Sequence, residues 1–219
     1  MITALQIKQD PQIKTYIERA DETLGALGFT EHSFAHVTRA AHFAQKLLSD
    51  LGYPERMCEL AWIAGYMHDI GNVINRVDHA QSGAIMAFRI LDKLGMPADE
   101  IATICSAIGN HDESTAFPVN QVAAALILAD KTDVRRTRVR NRDLSTFDIH
   151  DRVNYAVEKA RTELSEDKKS VVLKLEIDTA ISPVINYFEI FLDRMLLCRR
   201  AAEKLSLSFI LVVNGQQVL

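Results

Sequence analysis

Cysteine is scarce in this chain: Cys58, Cys105 and Cys198 are the only three in 219 residues, and no two of them form a C-x-x-C pair. Neither a disulfide framework nor a thiolate metal knot is expected from that count and spacing, and buried reduced thiols are. A basic excess is also missing. Lys plus Arg at 25 against Asp plus Glu at 29 leaves a formal charge of -4, which argues against a domain built to coat nucleic acid. Any polyanion site has to be local. No run of 18 uncharged apolar residues occurs, and the opening MITALQIKQDPQ lacks a basic stretch followed by an apolar one. A soluble cytoplasmic protein with no membrane association is the resulting expectation. What is present is ordinary: 48% hydrophobic and 25% charged residues suit a folded chain. Its length allows one domain, or one with a small appendage, able to bury roughly 70% of its unfolded surface.

Turn and cap signals divide the chain. Asp10-Pro11 opens a first helix with Ile13, Ile17, Ala20 and Leu24 at helical spacing; a second runs from about Ser33 to Asp50, and a third from Pro54-Glu55 to His68-Asp69. Asp78 is placed as the cap of a fourth helix, Pro97 opens a fifth, and Pro118 a sixth whose run Val122 to Ala129 is apolar throughout and therefore central. A further helix is expected from Asp148 to about Leu164. Ser165 to Lys169 then reads as a connector. Val171 to Ile177 favours a strand, Pro183 to about Lys204 a long amphipathic helix, and Leu207 to Val213 a strand, with Asn214-Gly215 as a type I′ turn into a last short one. The expected fold is mainly α: a helical body over 1–165 with a small β-α-β-β appendage over 170–219.

The histidines are not scattered at random along these elements. His36 lies in the first turn of its helix, His68-Asp69 ends the third, His79 starts the fourth and His111 follows the fifth, while Asp130 closes an apolar helix. An isolated carboxylate in such a run would carry a desolvation penalty of about several kcal/mol, so Asp130 is expected to be paired, hydrogen-bonded or bound to a metal. Imidazole and carboxylate donors without thiolates suit Fe, Mn, Co, Ni, Zn or Mg. Close behind Asp130 stand Lys131, Arg135, Arg136, Arg138, Arg140 and Arg142, opposed only by Asp133, a local cationic island in an acidic chain.

The order His36, His68-Asp69, His79, His111, Asp130, carried by the strings HDIG, DHAQSGA, GNHDE and LADKTD, resembles the HD-domain superfamily of metal-dependent phosphohydrolases over residues 30–135. The resemblance implies an all-helical core in which His36, His68, Asp69 and Asp130 form the common metal set. It further implies that Asp69 bridges two divalent ions and that His79 and His111 complete a two-metal site. In such a site one ion polarises the phosphoryl oxygen while a water acidified by both attacks phosphorus in line. Asp69, His79, His111 and Lys131 are then the candidate catalytic residues. Arg76, Lys131, Asp133, Arg135, Arg136 and Arg138 are candidate contacts for a small phosphorylated substrate, such as a nucleotide. HDIGN in place of HDIGK, and Glu113 to Pro118 where a GYP stretch would fall, set the chain apart from HD-GYP cyclic-dinucleotide phosphodiesterases. HDES in place of HTTG sets it apart from the diadenosine tetraphosphate hydrolase branch. Two other functions use the same ligands: a non-catalytic nucleotide or metabolite sensor, and a di-iron oxygenase. The appendage is a candidate dimerisation or regulatory unit. The apolar stripe Ile185, Phe188, Phe191, Leu192, Met195 and Leu196 makes a homodimer the expectation.

Overall fold

The computed structural model describes all 219 residues. Nine α-helices form the frame: α1 Ala4–Gln9, α2 Pro11–Ala26, α3 Phe34–Asp50, α4 Glu55–Met67, α5 His79–Lys93, α6 Ala98–Gly109, α7 Gln121–Lys131, α8 Ile149–Ala156 and α9 Val184–Lys204. The strands are β1 Val157–Leu164, β2 Ser170–Ile177, β3 Ser208–Val213 and β4 Gln216–Gln217. Helix α7 is the axis. Every residue from Val122 to Ala129 is buried, and α3, α4, α6 and α9 pack around it. Its start is fixed by Asn120, whose Oδ1 accepts from the Ala123 N–H, rather than by Pro118.

Helices α3 and α4 approach closely because their interface is made of small residues: Ala40, Ala41 and Ala44 face Ala61, Ala64 and Gly65, all buried. A Cβ on Gly65 would lie 2.7 Å from the Ala41 Cα, so only glycine permits this crossing. The contact brings His36, on the first turn of α3, beside His68, just past the end of α4. A short 3₁₀ turn, Ile70–Val73, follows His68-Asp69 and packs on the start of α5.

Three local expectations need correction. The chain is already helical before Asp10, in α1, where Thr3 and Gln6 form a capping box. Asp78 precedes α5 but makes no side-chain cap; it sits in the left-handed region at φ 56°. The helix expected to run to Leu164 stops at Ala156, and residues 157–164 are strand β1. Lys, Glu, Ala and Arg in that segment are good helix formers, but pairing with β2 overrides them. Antiparallel register places Lys159 on Glu176 and Thr162 on Leu173, and cross-strand ion pairs Lys159–Glu176 and Lys174–Glu163 close at 2.7 Å each.

The β2–α9–β3–β4 portion is the β-α-β-β arrangement read from the sequence, and β1 joins it as an additional edge strand. Sheet order is β1-β2-β3-β4, with β2 and β3 parallel across the α9 crossover. Asn214 and Gly215 both take positive φ, as the type I′ turn between β3 and β4 requires. Buried Tyr187, Phe191, Met195, Cys198 and Ala202 turn α9 inward, and one contiguous core runs from Ile7 to Val213. Of the stripe expected to drive pairing, Phe191 and Met195 are thus used within the chain, while Ile185 and Leu192 are exposed.

Candidate metal centre

Three of the four core histidines share a local device. His68 Nδ1 lies 2.8 Å from the Gly65 carbonyl, His79 Nδ1 3.0 Å from the Arg76 carbonyl, and His111 Nδ1 2.6 Å from the Ile108 carbonyl. Each ring therefore donates three residues back to a carbonyl, and for His68 and His111 that is an orphan carbonyl in the last turn of a helix. His36, at a helix start where no such carbonyl is available, uses Asp133 Oδ2 at 2.8 Å instead. With all four protons on Nδ1, all four Nε2 lone pairs point inward.

They meet in pairs. His36 Nε2 faces His68 Nε2 at 3.3 Å, and His79 Nε2 faces His111 Nε2 at 3.2 Å. Asp69 stands between the pairs: its Oδ2 is 3.1 Å from His68 and 3.6 Å from His36, and its Oδ1 is 3.6 Å from His79 and 3.9 Å from His111. Asp130 Oδ1 completes the first group at 3.2 Å from His36. The compact ligand clusters His36–His68–Asp130 and His68–Asp69–His111 are both in place. Facing lone pairs repel, and Asp69 Oδ2 is buried with no hydrogen-bond donor. A cation between the imidazoles of each pair, a first cluster at His36 and His68 and a second at His79 and His111, resolves both problems, so the donor set fits two divalent ions.

The electrostatics point the same way. Burial pushes the His68 pKa down, but Asp69 and Asp130 outweigh it and raise the group to about 10, so a proton holds the first cluster together when no metal does. His79 and His111 are pushed down by burial and stay neutral, ready to ligate. Burial opposes ionisation of Asp69 and Asp130 as well. His68 overcomes it for Asp69, and Lys131 for Asp130, leaving both well below the usual carboxylate range. The signs give a stability window for metal-free protein. Carboxylates lowered on folding stabilise above their ordinary value near pH 4 and lose that contribution below it. The raised His68 stabilises fully below pH 6.5 and loses its contribution as pH climbs towards about 10. The lowered His79 and His111 act the other way below pH 6.5, where the unfolded chain takes up protons that the folded chain refuses, so thermal melts of the metal-free chain should peak between about pH 6.5 and 7 and fall by pH 9, with added metal protecting the alkaline limb. A metal-free melting curve flat from pH 6 to 9 would contradict this.

The remaining site candidates separate cleanly. A cavity of about 380 Å³ opens over Asp69, His79, His111 and Asp130, and Arg76, Lys131 and Arg138 line it. Lys131 is buried between Asp130 Oδ2 at 2.7 Å and Glu113 Oε2 at 3.1 Å. Arg138 donates to the Glu31 and Asp133 carbonyls, both at 2.8 Å. Three expected substrate contacts do not line the cavity. Asp133 holds His36, Arg135 forks onto Asp133 at 2.7 and 3.1 Å, and Arg136 donates to the Tyr155 carbonyl and lies over its ring at 4.6 Å. The cationic run is consumed by Asp133, by backbone carbonyls and by a ring, because a short 3₁₀ turn, Arg136–Arg138, folds it back against α8 and the loop before α3.

Sequence reasoning left out Asn72, Asp112, Glu113 and Arg194. Asn72 donates to Asp69 Oδ1 at 2.9 Å from one helical turn away. Asp112 is 3.9 Å from Arg76, and Glu113 joins Lys131 to Arg194 of α9. The one available signal for Arg194 was a cation between Phe191 and Met195 on an otherwise apolar stripe. Among the other histidines, His32 and His150 line the cavity outside the ligand clusters, and His42 packs edge-on to Trp62.

The HD domain family matches residues 33–153, more than half of the chain. The chain belongs to this family. An uncharacterised protein of Methanocaldococcus jannaschii is 24% identical over 208 residues, covering 84% of this chain and 78% of that protein. A crystal structure from an uncultured Thermotogales bacterium, described as a predicted HD superfamily hydrolase, is 22% identical at TM-score 0.43, covering 62% of this chain and 75% of that one. With the family's fold and two His/Asp clusters in place, the HD chain is a metal-dependent phosphohydrolase carrying a binuclear divalent-metal site. No helix is long and apolar enough to cross a membrane.

Proposed function

We propose that the protein hydrolyses a phosphate ester or anhydride of a small metabolite, a nucleotide or a similar phosphorylated compound, in the cavity above Asp69. The observation that carries this reading is the bridging position of Asp69 between two pairs of inward-facing imidazoles. His36, His68, Asp130 and Asp69 Oδ2 would hold one ion; His79, His111 and Asp69 Oδ1 would hold the other. Bound there, the ions supply Lewis acidity and lower the pKa of a water near phosphorus. The chain's own part is to fix that geometry: Asp133 and three backbone carbonyls lock the imidazole tautomers, and Asn72 holds the bridging carboxylate. Arg76 and Lys131 sit where they can steady phosphoryl oxygens, with Lys131 kept charged by Asp130 and Glu113 against burial.

The same reading includes a cytoplasmic location and a homodimer, the pairing supported by Ile185 and Leu192 left exposed on α9. Phosphate release from nucleoside mono-, di- and triphosphates, dinucleotides and simple phosphate esters tests the activity, with protein loaded separately with Mn, Co, Ni, Fe, Zn or Mg. Turnover should depend on metal and name the substrate class, and sedimentation of the same samples should give twice the chain mass. Folded, metal-loaded protein silent on every substrate would instead favour a sensor or an oxygen-using enzyme.

A further inference from the structure

Helix α9 belongs to the C-terminal unit, yet it carries a cation into the metal cavity. Its buried stripe Tyr187, Phe191, Met195, Cys198, Ala202 is apolar, and Arg194 breaks it. A guanidinium on the inward face of a helix is costly to desolvate and is kept only with compensating partners. Arg194 has two: its Nε pairs with Glu113, and its guanidinium lies 4.5 Å from the centre of the Phe191 ring. Neither Nη group is engaged by a protein acceptor, and the residue lines the same cavity as Asp69, His79, His111 and Asp130.

The other cations of the cavity differ in this respect. Lys131 is divided between Asp130 and Glu113, and Arg138 is bound to two backbone carbonyls. Arg76 directs Nη1 to His79 Nε2 at 3.2 Å. Glu113 moreover has to serve both Lys131 and Arg194, and Asp130, its only help, is a candidate metal ligand. Arg194 therefore keeps both Nη groups unspent at the centre, and a phosphate group is the chemistry its planar fork matches.

We propose that Arg194 is a substrate-phosphate contact supplied by the C-terminal unit, so that the active site of the helical body is incomplete without α9. This rests on the metal-dependent phosphohydrolase reading, because it places the phosphate over the same two clusters. It gives the appendage a role in the site, beyond any part in pairing.

The test titrates inorganic phosphate calorimetrically into full-length, manganese-loaded wild type, R194K and R194A, with metal content and helical circular dichroism measured on each. R194A should bind phosphate about 10- to 100-fold more weakly with both metals retained, and R194K should fall between, since lysine keeps the charge but not the fork. Millimolar guanidinium should restore part of the R194A affinity, which a purely structural role would not allow. Equal phosphate affinity in the three proteins overturns the inference, as does a loss in R194A that tracks lost metal and that guanidinium leaves unchanged. Should R194A fail to fold, R194K decides alone: affinity equal to wild type overturns it. Wild type that binds phosphate but hydrolyses no ester removes the proposed function while the titration still decides Arg194.

Discussion

Asp69→Asn is expected to lower metal-dependent phosphate release by about a thousandfold or more while leaving the protein folded. The substitution is nearly isosteric, so the effect isolates the second ligand oxygen. Asn72 Nδ2 sits 2.9 Å from Asp69 Oδ1 as a donor, and it will orient a new amide so that its oxygen stays on that side. The amide nitrogen then takes the place of Oδ2, 3.1 Å from His68 and 3.6 Å from His36. An NH₂ group has no lone pair to offer a metal there, and both inward carboxylates of the first cluster become one. Metal analysis should accordingly show the first cluster emptied more than the second, with the stoichiometry falling from two towards one. Full activity with two ions retained would mean that Asp69 does not bridge, and the site would have to be rebuilt around Asp130 and the histidines alone.

How much of this centre could be read from the sequence depends on the range of the interactions. His68, His79 and His111 satisfy carbonyls three residues back, a purely local pattern, so their placement at helix ends was legible in the chain order. Asp130 was legible because a charge at the end of eight buried apolar residues demands a partner. What a sequence cannot carry is which of many arginines turns inward. Arg135 and Arg136 are the arginines nearest to Asp130 in the chain, yet the turn at Arg136–Arg138 spends them on Asp133 and Tyr155, and Arg194, sixty-odd positions away, arrives on α9. Strand β1 escaped for a similar reason: its residues favour a helix in isolation, and only the pairing with β2, in register from Lys159 to Leu164 after a bulge at Glu158, makes a strand the better solution.

Glycine 71 shows how tightly the fold and the second cluster are joined, and Gly71→Ala should cost the protein both stability and one metal ion. A Cβ at this position would lie 2.0 Å from the His79 carbonyl oxygen and 2.5 Å from the Gly83 nitrogen, both backbone atoms. No rotamer change can relieve such contacts; the 3₁₀ turn and α5 have to move apart. Overpacking of this kind costs on the order of 3 kcal/mol, which for a chain of this length lowers Tm by roughly 6 to 12 °C. The displacement is directional. His79 opens α5, and its Nε2 is 3.2 Å from His111, so retreat of α5 withdraws a donor from the second cluster. The first cluster shares His68 and Asp69 with that turn, but its other two ligands, His36 on α3 and Asp130 on α7, stand away from the seam, so it should lose less than the second. Differential scanning fluorimetry should therefore show the drop in Tm, and metal analysis should show one ion retained where wild type holds two. Gly83→Ala is the control, since its Cβ would meet the His68 carbonyl at 3.2 Å, a contact that a shift of a few tenths of an ångström accommodates. If Gly71→Ala melted with wild type and kept both ions, α5 would not be seated on the His-Asp turn. The coupling between that turn and the second cluster would then be lost.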